Sequence, residues 1–151
     1  MVPLALQPCV IDLELSAEAL KLEGNQAYKA KNYLAAFEKY SRGLEACLTE
    51  DTQVKSDLLR NRSIVNLYLH RYEPAAADAL ASVISTNDLS AVGKKNNAKA
   101  YYRAGCAFYK QESFKDALDR FQQSLSLQPG DPDGLREIKR TESRLRYVSC
   151  P

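Results

Sequence analysis

The chain has 151 residues and a formal net charge of +2, with 45% hydrophobic and 26% charged residues. This composition is typical of a globular protein in water, and no apolar run reaches the ~20 residues that cross a bilayer, so neither disorder nor membrane insertion is expected. A charge so near balance also argues against a general nucleic-acid binder, because such proteins present a strongly basic face. The length fits one domain.

Residues 1–15 are expected to form an N-terminal lead segment outside the domain. The segment is apolar, but it has no basic n-region and contains Pro3 and Pro8, so we do not expect a secretory signal. Four cysteines are spread along the chain with no Cys-x-x-Cys pair and no neighbouring histidine: Cys9, Cys47, Cys106 and Cys150. Such spacing is typical of reduced thiols in the cytoplasm or the nucleus, and favours neither a disulfide framework nor a zinc site.

A first helical hairpin is predicted over about 17–50. Ser16 is a suitable N-cap for its first helix. A small residue on that helix, Gly24, is followed nine residues later by an aromatic, Tyr33, and three residues after that by Ala36. A small residue lets two antiparallel helices approach closely, and we expect the aromatic to fill the core beside the turn.

The same pattern recurs in two further predicted hairpins, at about 56–85 and about 98–130. The matching small, aromatic and alanine positions are Ser63, Tyr72 and Ala75, then Gly105, Phe114 and Ala117. The small residues stand at 24, 63 and 105, so the units are 39 and 42 residues apart, longer than a 34-residue repeat. We place the additional residues near 47–52 and in a polar connector at 85–97.

A final capping helix is predicted over about 132–148. Pro129 and Gly130 end the preceding helix, and Asp131 with Pro132 is typical of an N-cap and first helical position. Four apolar residues form a stripe that we expect to seal the open end of the stack: Leu135, Ile138, Leu145 and Val148. Since one hairpin cannot bury its own apolar face, the sequence predicts a single all-α domain over 16–148 in which stacked hairpins share a core.

From Ala17 to Tyr147 the chain resembles tetratricopeptide-repeat proteins, whose helical hairpins stack as a right-handed superhelix. More narrowly, it is similar to the carboxylate-clamp co-chaperone modules that bind the extreme C-termini of Hsp90 and Hsp70. That subclass carries a K-x-x-G-N context on the first helix, an N-R-S stretch on the third and K-A-Y-x-R on the fifth. The residues that match its clamp are Lys21, Asn25, Asn61, Lys99 and Arg103. The chain departs from the family at two large-residue positions, Gly43 and Ala79.

The chemistry of these five positions agrees with the resemblance. Residues four apart share a helix face, and the first helices of such repeats line the concave side, so the clamp residues should converge on one groove. Lysine supplies a point charge, arginine a planar fork and the asparagine amides directed donors for the two carboxylates of a terminal aspartate. The expectation is that Lys21, Asn25 and Asn61 hold the terminal carboxylates and that Lys99 and Arg103 complete the grip. Further candidates, for apolar pockets in the groove, are Tyr28, Tyr102 and Phe108.

Catalysis has no visible basis in the sequence, and we expect no enzyme, no cofactor and no metal site. His70 is the only histidine and is expected to be a solvated residue at a helix end. The Gly-Lys-Lys at 93–95 lacks the spacing of a phosphate-binding loop and is interpreted as linker. The predicted last helix is basic, but glutamates interrupt its charge, so we expect a solvated surface and not a nucleic-acid or membrane contact.

The leading hypothesis is therefore a cytoplasmic or nuclear co-chaperone or adaptor module that binds the acidic C-terminal peptide of Hsp90, Hsp70 or both. A second hypothesis is the targeting domain of a larger enzyme, such as a methyltransferase, phosphatase, isomerase or ubiquitin ligase. A third is a scaffold whose groove binds internal segments of other proteins. A peptide with an amidated C-terminus discriminates the third from the first, since a binder of internal segments is indifferent to the terminal charge.

Overall fold

The computed structural model describes residues 16–48, 50–85 and 88–149 of the chain. These residues form seven α-helices and no strand, which confirms the predicted all-α fold. The helices are α1 Ala17–Lys29, α2 Tyr33–Ala46, α3 Thr52–Tyr68, α4 Tyr72–Ile84, α5 Ala91–Lys110, α6 Phe114–Leu127 and α7 Pro132–Ser149. The predicted lead segment 1–15 lies outside the described residues, as do Cys9 and Cys150.

Three hairpins, formed by α1 with α2, α3 with α4 and α5 with α6, pack in chain order, and α7 packs against α6. The first helices of successive hairpins also contact one another, α1 with α3 and α3 with α5. The three alanines of the repeat pattern, Ala36, Ala75 and Ala117, are fully buried. The stack thus buries one face of each helix and aligns α1, α3 and α5 along one wall.

Side-chain caps begin the first and last helices as the sequence predicted. The Ser16 hydroxyl accepts a hydrogen bond from the backbone N–H of Ala19 at 3.2 Å. Asp131 Oδ2 accepts from the backbone N–H of Gly134 at 3.0 Å, and Pro132 opens α7. Each cap satisfies one of the N–H groups that a helix start leaves without an intrahelical partner.

Each hairpin turns through one residue in the left-handed backbone region. These residues are Lys31, His70 and Glu112, with φ of 59°, 57° and 60°. Each stands two residues before the second helix of its hairpin, so the three turns repeat one geometry. His70 is exposed at such a turn, in agreement with its predicted place at a helix end.

Close packing at two of the small residues is confirmed. A Cβ on Gly24 would lie 2.4 Å from Cε1 of Tyr40, and one on Gly105 would lie 2.6 Å from Cε1 of Phe121. Both rings are buried, at 1% and 0% exposure. In these two hairpins the ring on the second helix therefore occupies the space that a larger residue on the first helix would need.

The two departures from the family pattern are explained by local packing. In the middle hairpin, Ala79 stands at the position that Tyr40 has in the first. Ala79 is fully buried, and the small residue on the first helix of the same hairpin is Ser63, which is larger than glycine. A Cβ on Gly43 would lie 2.9 Å from Cδ2 of Leu58, so this glycine lets α3 pack closely on α2.

The aromatics beside the turns are less buried than predicted. Phe114 is 8% exposed, but Tyr33 and Tyr72 are only partly buried. Tyr33 stacks against Tyr68, with ring centroids 4.5 Å apart, and Tyr68 is itself 49% exposed. Tyr33 and Tyr72 both pack against buried clusters of the core, so the prediction of core positions is only partly correct for these two residues.

The predicted connector at 85–97 is too long. Helix α5 begins at Ala91, so the Gly-Lys-Lys at 93–95 is helical and not linker. The Ser90 hydroxyl caps α5 by accepting from the backbone N–H of Gly93 at 3.1 Å. A Cβ on Gly93 would lie 2.3 Å from the carbonyl oxygen of Asp88, so the glycine is needed for the chain to enter the helix closely.

The predicted apolar stripe of α7 is only half correct. Ile138 and Leu145 are partly buried, whereas Leu135 is 43% and Val148 69% exposed. The fully buried residue of α7 is Thr141, whose hydroxyl donates to the carbonyl of Glu137 at 2.7 Å. Gly134, near the start of α7, is buried as well, so α7 packs against α6 partly through residues that the predicted apolar stripe does not include.

Candidate functional site

The wall formed by α1, α3 and α5 carries the five predicted clamp residues. Lys21 and Asn25 lie on α1, Asn61 on α3, and Lys99 and Arg103 on α5. Since α3 contacts both other helices, these residues come from three neighbouring hairpins of one stack, although the first and the last are 82 positions apart in the numbering. The contacts among them differ from residue to residue.

Asn25 and Asn61 meet directly at the centre of the wall. The Asn61 amide nitrogen donates to Asn25 Oδ1 at 3.0 Å, and the hydroxyl of Tyr40 donates to the same oxygen at 2.8 Å. Burial, followed by the nearby Tyr28, raises the pKa of Tyr40 to about 12, so its hydroxyl keeps its proton. With Oδ1 occupied by two donors, Asn25 presents its amide N–H groups as donors to the groove.

Lys21 is held by an acid that the sequence analysis did not single out. Its Nζ lies 3.2 Å from Oδ2 of Asp57 on α3, and Oδ1 of the same carboxylate accepts from Arg60 and, at 3.1 Å, from Gln53. Asp57 stands four residues before Asn61, so both share one face of α3. That spacing was the signal available in the sequence.

Arg103 lies in the wall without a carboxylate partner among the described residues. One guanidinium nitrogen, NH1, donates to the backbone carbonyl of Arg60 at 2.7 Å. Burial, and then the nearby charge of Arg60, lower the pKa of Arg103 below its ordinary value. A half-buried cation beside a second cation is stabilised by any anion that comes within reach, so Arg103 favours an anionic ligand.

Lys99 is exposed and stands one turn before Arg103 on the same helix. In the described part of the chain no hydrogen-bond acceptor or carboxylate contacts its ammonium. The two residues line a cavity of about 300 Å³ that Asp131 and Asp133, at the start of α7, also line. Both aspartates have partners of their own, Asp131 in the cap of α7 and Asp133 in an ion pair of 2.7 Å with Arg136.

The three candidates for apolar pockets fall in different places. Tyr28 is half-buried at the groove, with its ring centroid 6.0 Å from that of Tyr68. Tyr102 lines the cavity beside Lys99 and also an apolar cavity of about 330 Å³ between α3 and α5. Phe108 instead packs against the buried cluster of Ala75, Ala76 and Ala107, so the structure does not bring it to the groove with the other two.

The apolar cavity includes residues that the sequence analysis missed. Its further lining residues are Ile64, Leu67, Tyr68, Arg103 and Cys106. Burial raises the pKa of Cys106 to about 11, which agrees with a thiol that packs and does not react. Three of the missed residues, Ile64, Leu67 and Tyr68, are spaced three and four residues apart on α3, a helical periodicity visible in the sequence.

The described residues contain neither a candidate metal cluster nor a candidate membrane span. Their histidine, cysteine and acidic side chains do not gather in any group of three or more that suits a metal ion. None of their helices combines the length and the hydropathy that a crossing of the bilayer requires.

The tetratricopeptide-repeat family matches residues 98–131, which cover α6 and most of α5. Among solved structures, the first TPR of Spaghetti (RPAP3) bound to the HSP90 peptide SRMEEVD superposes with a TM-score of 0.73 at 23% identity, over 86% of this chain and 93% of that one. The repeat is thus identified from the sequence, and the fold is identified separately from the structure. The chain is a tetratricopeptide-repeat domain.

Sequence relatives of this tetratricopeptide-repeat domain are longer proteins. The DnaJ homolog subfamily C member 7 homolog of Dictyostelium discoideum is 32% identical over 124 residues, which are 82% of this chain and 21% of the relative. The Hsp70/Hsp90 co-chaperone CNS1 of Saccharomyces cerevisiae is 34% identical over 101 residues, 67% of this chain and 24% of the relative. The chain thus spans about a fifth to a quarter of the length of these two relatives.

Proposed function

We propose that the groove of this domain binds the C-terminal carboxylates of an acidic peptide, such as the tail of Hsp90 or Hsp70. The observation that carries the proposal is Arg103, a half-buried cation whose guanidinium bonds only to the backbone carbonyl of Arg60 among the described residues. A buried charge without a counter-ion is costly, and a carboxylate ligand supplies the missing partner.

Each clamp residue has a role that follows from its contacts. The Asn25 and Asn61 amides, fixed by their mutual hydrogen bond, present directed donors for the terminal carboxylate. Lys21 adds a charge on the same side of the groove. On α5, Lys99 and Arg103 would bind the second carboxylate of a terminal aspartate. A peptide whose last residue is neutral offers only its terminal carboxylate and therefore contacts only part of these groups. The groove should for this reason prefer peptides whose last residue is acidic.

The names of related proteins support the same proposal. CNS1 is described as an Hsp70/Hsp90 co-chaperone, and the RPAP3 domain with this fold is bound to an Hsp90 peptide. We propose that the chain acts as a co-chaperone or adaptor module in the cytoplasm or the nucleus and not as a catalyst. Its affinity should be micromolar, about −8 kcal/mol, because a flexible tail loses conformational entropy on binding.

Isothermal titration calorimetry with the peptide SRMEEVD, as a free acid and as a C-terminal amide, tests the proposal. We expect the amide to bind at least about tenfold more weakly, because one charge-assisted interaction is lost. Equal affinity of the two peptides would exclude the clamp and favour the scaffold that binds internal segments.

Lys99→Ala tests the α5 part of the clamp, and because Lys99 is exposed we expect this variant to fold like the wild type. We expect affinity for the free acid to fall about threefold to tenfold, the effect of one exposed charge contact. Lys94→Ala is the matched control: it removes the same charge from the same helix, about 140° around the axis from Lys99. Identical losses in the two variants would mean that net charge, and not the clamp, attracts the peptide.

A further inference from the structure

The carboxylate of Asp57 contacts Lys21, the predicted clamp cation on α1. Its Oδ2 lies 3.2 Å from the Lys21 ammonium, and both side chains face the wall that also holds Asn25 and Asn61. The acid comes from α3 and the lysine from α1, so the pair is formed only when the first two hairpins stack. Lys21 is therefore the clamp cation that already has an anionic partner within the domain.

The Lys21–Asp57 contact is of a kind that a ligand can displace. The two side chains are 22% and 24% exposed, and an ion pair in contact with water stabilises a protein only slightly. Asp57 also keeps other partners, since its Oδ1 accepts from Gln53 at 3.1 Å and from Arg60. If Lys21 turned to a ligand, the Asp57 carboxylate would still be compensated by Arg60.

A peptide carboxylate and Asp57 cannot both contact Lys21 without mutual repulsion. The ammonium has three donors, but two carboxylates around it carry the same charge at short distance. The ligand must either break the pair or bind beside an anion, and both weaken its affinity. Removing the charge of Asp57 should therefore strengthen binding, which is the opposite of what truncating a groove residue normally does.

We propose that Asp57 is an affinity-determining residue that competes with the ligand carboxylate for Lys21. The inference rests on the proposed function of the groove and adds an internal competitor to it. The competition lowers the affinity of the free groove for single carboxylates, since a weak anion does not displace Asp57. A tail that engages Lys99 and Arg103 at the same time can displace it, so the competitor favours ligands with two carboxylates.

The test is calorimetry with SRMEEVD on the wild type, Asp57→Asn and Glu23→Gln. Asparagine has the shape of aspartate, and its amide oxygen can still accept from Gln53. We expect Asp57→Asn to bind about threefold to tenfold more tightly, the range of one partly exposed charge contact. Glu23 forms an ion pair of 2.5 Å with Lys39 of α2, outside the groove, so Glu23→Gln removes one negative charge from the domain without touching Lys21. We expect its affinity to remain within about twofold of the wild type.

A double-mutant cycle shows whether Lys21 carries the effect. In a Lys21→Met background, Asp57→Asn should change the affinity by less than about twofold, because the lysine for which the acid competes is gone. An undiminished gain in that background would overturn the inference. Thermal unfolding followed by circular dichroism establishes that each variant is folded, and Asp57→Ser replaces Asp57→Asn if the latter is not.

Failure of this inference differs from failure of the proposed function. In one outcome the wild type binds the free acid better than the amide, but Asp57→Asn binds no more tightly than the wild type. Competition by Asp57 is then excluded, while binding of the terminal carboxylates in the groove is supported. If the wild type binds neither peptide, the proposed function is excluded and the competitor with it. A gain of equal size in Glu23→Gln would also exclude the competitor, since it would be an effect of net charge.

Discussion

The Asn61 amide donates to Oδ1 of Asn25 across 3.0 Å, although the two residues are 36 positions apart in the sequence. This bond joins the first helices of two successive hairpins at the centre of the groove. The Tyr40 hydroxyl, 2.8 Å from the same oxygen, fixes the amide from the core side. The orientation of the Asn25 donors is thus set by the fold before any ligand arrives, which reduces the ordering that binding requires.

Asn25→Asp should weaken binding strongly while the domain stays folded. An aspartate has the same shape, and its oxygen still accepts from Tyr40 and Asn61, but its second oxygen places a negative charge where the ligand carboxylate would bind. We expect the affinity for the acidic peptide to fall more than about tenfold, while the unfolding free energy changes by less than about 1 kcal/mol. Calorimetry and chemical denaturation measure the two quantities.

Asn32→Asp is the control for Asn25→Asp. Asn32 caps α2 by accepting from the backbone N–H of Ala35 at 3.2 Å, and aspartate caps a helix equally well. The same chemical change outside the groove should leave binding unaltered. Retention of full affinity by Asn25→Asp would contradict the assignment of this side chain to the carboxylate.

Gly24→Ala should destabilise the first hairpin. The new Cβ would meet the Tyr40 ring at 2.4 Å, and Tyr40 is fully buried and bonded to Asn25, so it cannot move aside freely. We expect the unfolding free energy to fall by about 1–3 kcal/mol, the usual effect of overpacking. Gly134→Ala is the control, because its Cβ would lie no closer than 3.2 Å to the Asp131 carboxylate. A loss of equal size at both positions would refute the packing argument.

Arg62→Ala should lower the unfolding free energy much more than Arg136→Ala, although both variants remove an arginine from an ion pair. Arg62 binds both oxygens of Asp78, at 2.8 and 2.7 Å, and the Asp78 side chain is only 8% exposed. Its loss leaves a buried carboxylate with a single donor, Asn66, so we expect a decrease of about 2–4 kcal/mol in unfolding free energy. Arg136 is 65% exposed, and its loss should change stability by less than about 0.5 kcal/mol. Urea denaturation of both variants measures the difference.

The stability of the domain should decrease at alkaline pH. Burial raises the pKa of Cys106 from 9.0 to about 11 and that of Tyr40 from 10.0 to about 12. The folded state therefore holds these protons where the unfolded chain has released them, and stability is lost as the pH rises from about 9 through about 12. The measurement is Tm from pH 8 to pH 12. We expect Cys106→Ala and Tyr40→Phe each to flatten the decrease, and unchanged slopes in both variants would contradict the assignment.

Much of this fold could be predicted from residues that act locally or recur with the repeat. Gly24 and Gly105 indicated close helix contacts, Ser16 and Asp131 indicated caps, and the repeat of the pattern predicted stacked hairpins. Helix propensity, capping and periodicity depend on near neighbours along the chain, so a linear pattern carries them. For the same reason the sequence placed the candidate clamp residues on the first helix of each hairpin.

Other features were decided only by contacts between distant segments. Asp57 became the partner of Lys21 because α1 and α3 stack, and Phe108 entered the core between α4 and α5 although its periodicity also suited a groove position. The start of α5 at Ala91 depended on Gly93 fitting against Asp88. The sequence by itself therefore determined which helices form and which residue types they present. Which charges meet, and which are left for a ligand, was decided by the tertiary structure, because electrostatic interaction depends on distance in space and not on separation along the chain.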